Sequence, residues 1–130
     1  MRDALLLIAH GSREAEANAD LHYLADELRR TGEYVAVVAS FLELAEPSIA
    51  AGGTQCVAAG AERVVLVPYF LSAGVHVRRD LTAARDHLAG QFPVVDFLLA
   101  APLGRHPQLL QIVAERASAA LRTRTSERLS

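Results

Sequence analysis

Four apolar runs punctuate the chain at regular intervals: ALLLIA at 4–9, YVAVVASF at 34–41, RVVLVPYF at 63–70 and PVVDFLLA at 93–100. The first and third are nearly continuous rather than alternating, which is the pattern of strands covered on both faces. Between the runs the period changes. Over 13–30, Ala17, Leu21, Leu24, Ala25 and Leu28 recur at helical spacing, with charges on the opposite side. Ser12 is placed to cap that helix and Gly32 to end it. A second helix is predicted over about 47–59, with Pro47 near its first turn, Gly60 after it, and Gly52 and Gly53 weakening its interior. A third spans about 78–89 and stops at Gly90. A fourth, about 106–121, starts at Pro107 and carries Leu109, Leu110, Ile112, Val113, Ala117 and Leu121. The last stretch, RTRTSERLS at 122–130, has no apolar period and reads as a frayed or disordered tail.

Strand and helix alternate as βαβαβαβα, with about 30 residues from one strand to the next. That order predicts an α/β fold: one three-layer domain over 1–121, its four-stranded parallel sheet flanked by helices on both faces. No composition shift or linker divides the chain, and 130 residues suffice for one real core.

Composition narrows the function. A formal charge of −2 argues against a general nucleic-acid or membrane binder. No apolar run approaches the roughly 18 residues of a membrane span, and no signal-peptide pattern opens the chain, so a cytoplasmic location is expected. All 13 basic residues are Arg, whose forked donors suit carboxylates and phosphates. Cys56 is the only cysteine, which leaves no internal disulfide and no thiolate metal cluster within one chain. It lies in an Ala-rich apolar stretch and reads as a core residue.

In an open parallel sheet, ligands bind beyond the carboxyl ends of the strands. That rule selects HGSR (10–13), LELAEPS (42–48), LSAGVHVRRD (71–80) and APLGRHP (101–107). These four segments gather His10, His76 and His106 with Glu43, Glu46, Arg13, Arg78, Arg79 and Arg105, whereas His22 and His87 fall inside helices. Two imidazoles and a carboxylate suit a borderline divalent ion, and they equally suit acid–base work. No GxGxxG, GxxxxGK[ST] or GxSxG occurs. A phosphorylated-histidine mechanism is disfavoured because Ala9, not Arg, precedes His10.

Taken together, LLLIAHGSR, FLELAEPSI, VVLVPYFLSAGVHVRRDL and PLGRHPQLLQIV resemble the short sirohydrochlorin chelatases of the CbiX/SirB type, in order and spacing over residues 4–121. The resemblance implies insertion of Co²⁺, Fe²⁺ or Ni²⁺ into sirohydrochlorin, an anionic tetrapyrrole, on the way to cobalamin, sirohaem or a related cofactor. It implies His10 and His76 as metal ligands and Glu43 as an aid to metal binding or proton transfer. The divalent metal is then a substrate, and no tightly bound cofactor is expected. Arg13, Arg78, Arg79 and Arg105 are the candidates to hold the substrate carboxylates. Longer chelatases look like two such modules joined, so the resemblance implies a homodimer for this short chain. The alternatives are a metal or tetrapyrrole carrier without turnover and, more distantly, a histidine phosphotransferase.

Overall fold

The structure, a computed structural model, describes the backbone of residues 2–129 and the side chains through Arg124. Its elements are β1 (Asp3–Ala9), α1 (Ala15–Arg30), β2 (Ala36–Phe41), α2 (Ile49–Ala58), β3 (Arg63–Pro68), α3 (Val75–Gln91), β4 (Asp96–Leu99) and α4 (Pro107–Leu129). The strands form one parallel sheet in the order β2-β1-β3-β4, as the alternation of runs requires. No described helix is long and apolar enough to cross a membrane.

Successive side chains of β1 divide between two cores. Ala4, Leu6 and Ile8 point into the larger one, with Val64, Leu66, Phe97, Ile49, Leu81 and Leu88. Leu7 enters the smaller one with Leu21, Ala25, Val37, Ala39 and Phe41. Each fully buried Leu contributes about 2 kcal/mol by removal from water, so the larger core carries most of the stability. Cys56 belongs to it: the thiol is fully buried, its Sγ lies 3.9 Å from the Leu5 carbonyl, and burial pushes its pKa up to about 11. A neutral thiol in that position is packing, as its surroundings in the sequence suggest.

α2 lies over the larger core, capped by Ser48, whose Oγ accepts from the Ala51 N–H at 3.1 Å. Its two interior glycines are places of close approach. A Cβ at Gly52 would stand 2.7 Å from Leu6 Cδ1, and one at Gly53 2.7 Å from both Leu88 methyls. The helix-propensity cost of these residues therefore admits the sheet and α3.

Three local expectations change. α1 begins at Ala15 with Glu14 as its N-cap, so Ser12 does not cap it. The Ser12 Oγ instead accepts from the Glu14 N–H at 3.0 Å, closing a small turn before the helix. α3 begins at Val75 rather than near 78, with Gly74 as its extended N-cap residue. The last three residues of the expected loop, 75–77, are thereby helical, and His76 lies in the first turn. α4 runs to Leu129, well past its apolar repeat and into the stretch read as tail.

The helices also cover the sheet unevenly. α2 and α3 close one face across all four strands, while α1 covers β1 and β2 on the other. The row Val37–Leu5–Val65–Leu98 crosses that second face in register. Its burial fades from 2% exposure at Val37 to 49% at Leu98. α4 does not fill the gap: among its described side chains only Leu109 and Ala119 are even partly buried.

Candidate functional site

The carboxyl edge of the sheet is assembled by backbone bonds that continue past the strands. The Leu42 N–H donates to the Ala9 carbonyl and the Glu43 N–H to the His10 carbonyl, each at 3.0 Å, so the pairing of β1 with β2 extends to His10 and Glu43. The Phe41 N–H donates to the Pro47 carbonyl at 3.0 Å, which returns the acidic loop onto the end of β2. Gly11 makes the junction possible. Its φ is +94°, and a Cβ there would lie 1.8 Å from the Glu43 carbonyl oxygen. HGSR and FLE are thus one structure, joined where only glycine fits.

His10 is exposed, and its ring stands edge-on to buried Phe70, with centroids 4.8 Å apart and planes at 68°. Phe70 positions the imidazole, a role that its place in an apolar run concealed. Sequence reasoning also missed Asn18. Its Oδ1 accepts from the Ser12 N–H at 3.0 Å and its Nδ2 donates to the Ser12 carbonyl at 2.8 Å, clamping the segment after His10 to α1. A polar residue on the first turn of an amphipathic helix was the available signal.

The third and fourth segments are likewise locked together. The Leu103 N–H donates to the Phe70 carbonyl and the Gly104 N–H to the Leu71 carbonyl, each at 2.8 Å. A Cβ at Gly104 would come within 2.1 Å of the Leu71 oxygen. Between these loops Arg78 and Arg105 line one cleft of about 560 Å³ with Leu71, Ser72, Ala73 and Pro102. Arg79 lies with Arg78 along the outer side of α3, beside Val75 and Asp86. Arg13 is exposed between the His10 corner and α1. His106 supports the backbone at the start of α4, where its Nδ1 accepts from the Gln108 N–H at 3.2 Å. His22 rests against Phe41 with centroids 5.6 Å apart, and His87 is exposed on α3.

One backbone hydrogen bond therefore ties Glu43 to His10, while His76 stands on the first turn of α3. Among the described residues, no three or more His, Cys, Asp or Glu side chains are gathered into a ready-made metal cage within the chain. What one chain offers is an open edge with nitrogen and oxygen donors and two arginines sharing a cleft.

The CbiX family model matches residues 4–120, a span that takes in all four strand-end segments. The chain belongs to the CbiX family. Relatives of this CbiX protein include the chloroplastic sirohydrochlorin ferrochelatase of Arabidopsis thaliana, 37% identical over 88% of this chain and 51% of that protein. They also include the sirohydrochlorin cobaltochelatase of Sulfolobus acidocaldarius, 31% identical over 90% of this chain and 91% of the relative. The chain spans about half the length, or less, of several curated relatives it matches, and nearly the whole length of others. The fold matches a CbiX protein from Marinobacter aquaeolei with a TM-score of 0.80 and 30% identity, covering 93% of this chain and 98% of that one. It matches the sirohydrochlorin chelatase SirB from Bacillus subtilis, in complex with cobalt, with a TM-score of 0.84 and 27% identity. That match covers 92% of this chain and 51% of SirB.

Proposed function

We infer that this CbiX protein is a sirohydrochlorin chelatase that inserts a divalent metal, Co²⁺, Fe²⁺ or Ni²⁺, into the macrocycle. The observation that carries this reading is the fused His10–Glu43 corner at the sheet's carboxyl edge, beside a cleft lined by Arg78 and Arg105. The names and lengths of its relatives support it.

The chemistry fits those residue types. Metal insertion releases two pyrrole N–H protons, and a neutral imidazole either accepts a proton or holds the incoming ion. His10 and His76 take these parts, with Glu43 as the carboxylate that assists. Imidazole and carboxylate donors suit an ion that must afterwards be surrendered, and buried Cys56 does not compete for it. Sirohydrochlorin presents many carboxylates. Arg78 and Arg105, which line one cleft, are the first candidates to grip some of them, and Arg13 and Arg79 are the others.

A single chain gives one wall of such a site. We propose a homodimer in which a two-fold axis sets a second His10, Glu43 and His76 opposite the first. The open donor edge of the single chain supports this arrangement.

The test is to mix purified protein with sirohydrochlorin and each metal in turn and to follow the absorbance change of the macrocycle. Acceleration over the spontaneous rate with at least one metal is expected, and it should be abolished in His10→Ala and His76→Ala chains that still fold. Stoichiometric binding of metal or macrocycle without acceleration would replace the enzyme by a carrier.

A further inference from the structure

A histidine that serves a metal is almost always oriented through its second ring nitrogen, which donates to a carboxylate, a carbonyl or water. Among the described residues, His10 has no such protein partner, and its ring makes the edge-on contact with Phe70 instead. The direction of the imidazole is therefore set by that contact and by the backbone that carries it.

That backbone is pinned on two sides. On the strand side, the His10 carbonyl accepts from the Glu43 N–H at 3.0 Å. On the helix side, the Asn18 Oδ1 accepts from the Ser12 N–H at 3.0 Å, and its Nδ2 donates to the Ser12 carbonyl at 2.8 Å. Gly11 stands between the two anchors with a φ of +94°, a conformation that leaves the turn free to swing unless both ends are held. Ser12 lies past the end of β1, where no strand neighbour serves its peptide groups, and a carboxamide offers the same donor and acceptor side by side. Asn18 is half-buried on the first turn of α1, where side chains lean back toward the helix start. The carboxamide is also neutral, so it holds the turn without adding charge beside an arriving cation.

We propose that Asn18 is a positioning residue for His10. It fixes the turn that follows the histidine, and so the direction from which the imidazole meets the metal or the pyrrole proton. The proposal rests on the chelatase reading above and adds to it a residue that acts through the backbone. A purely structural anchor for α1 would make the same two bonds, and the far end of that helix provides the comparison. There the Thr31 Oγ1 donates to the Leu28 carbonyl at 2.8 Å and accepts from the Glu33 N–H at 3.4 Å.

The contact with Phe70 gives a readout independent of catalysis, because a neighbouring aromatic ring displaces the NMR signals of the His10 ring protons. Those signals are assigned by their absence in His10→Ala. They are then compared in Asn18→Ala, Asn18→Asp and Thr31→Ala at an alkaline pH, where free imidazoles are neutral. Asn18→Ala removes both bonds. Asn18→Asp keeps the shape and one acceptor but sets a carboxylate against the Ser12 carbonyl, and it serves where the alanine chain fails to fold. In both Asn18 variants the His10 signals should move toward those of a free histidine. In both, kcat for metal insertion should fall about 10-fold while KM for sirohydrochlorin changes by less than about two-fold. Thr31→Ala should lower the melting temperature to a similar extent and leave the signals and kcat as they were. His10 signals that stay in place in both Asn18 variants overturn the proposal, as do signals that move with kcat unchanged. So does an equal kcat loss in Thr31→Ala, or a rise in KM without a fall in kcat. An unmodified protein that accelerates insertion of no metal overturns the chelatase reading instead. Displaced His10 signals would then still support the tie from Asn18 to His10, and unmoved ones would overturn it.

Discussion

The two faces of the sheet are made from the same four strands and finished differently. Toward α2 and α3, side chains are buried across all four strands, and glycines are cut into α2 where Leu6 and Leu88 arrive. Toward α1, burial fades across a single row from Val37 to Leu98. The first face holds the larger core of the domain, and the second leaves Leu98 half exposed. The site lies on the edge between them.

Substitutions in matched pairs put this contrast under load. The largest effect is expected at Leu66, fully buried on the closed face. Leu66→Ala should cost about 3 kcal/mol in urea titrations, against less than about 0.5 kcal/mol for Leu98→Ala measured at nanomolar concentration. Equal costs would erase the distinction. Next comes His10, which is exposed at the edge. His10→Ala should lower kcat by about 100-fold or more while leaving the denaturation midpoint nearly unchanged. A large loss of stability instead would make it a packing residue.

Gly53 and Gly90 offer a smaller comparison. Gly53→Ala pushes a methyl against Leu88 and should cost about 1 kcal/mol net of its helix-propensity gain. Gly90→Ala meets nothing within 4 Å and should stabilise α3 by up to about 1 kcal/mol. Thermal melts that moved in the same direction would count against the notched packing of α2.

The smallest effect belongs to Asp3. Its hydrogen bonds to Arg63 hold the carboxyl below its ordinary value of 3.8. A lowered folded-state pKa contributes stability above the unfolded value, and that contribution fades as pH falls through the folded one. Asp3→Asn should therefore be slightly less stable than the parent at pH 6, and the gap should close below pH 3.8. The pair is substantially exposed, so the gap is small. A gap that persists at low pH would show that the carboxylate's charge is not its source.

Much of this architecture is legible in the chain. ALLLIA and RVVLVPYF read as central strands because both of their faces are apolar, and they are indeed the two inner strands. The strand-end rule then brings His10, Glu43, Arg78 and Arg105 to one edge without any structure. Two things were hidden. Val75, His76 and Val77 break the amphipathic pattern that marks a helix, so α3 is expected to start three residues late. Of its first turn only Val77 packs against the core, too few positions for a period to register. The bare face was hidden for a deeper reason: a period in α4 tells that the helix has an apolar side and says nothing about which surface receives it.

Gly11 has no functional group, yet it sets the evolutionary constraint on the site. Any side chain there collides with the Glu43 carbonyl, so a library of all 19 replacements should be purged at this position even under selection for folding alone. His10, its neighbour in the chain, should be purged only under selection for activity. Scanning the pair under both selections separates what the site is built on from what it does, whichever metal the proposed reaction takes.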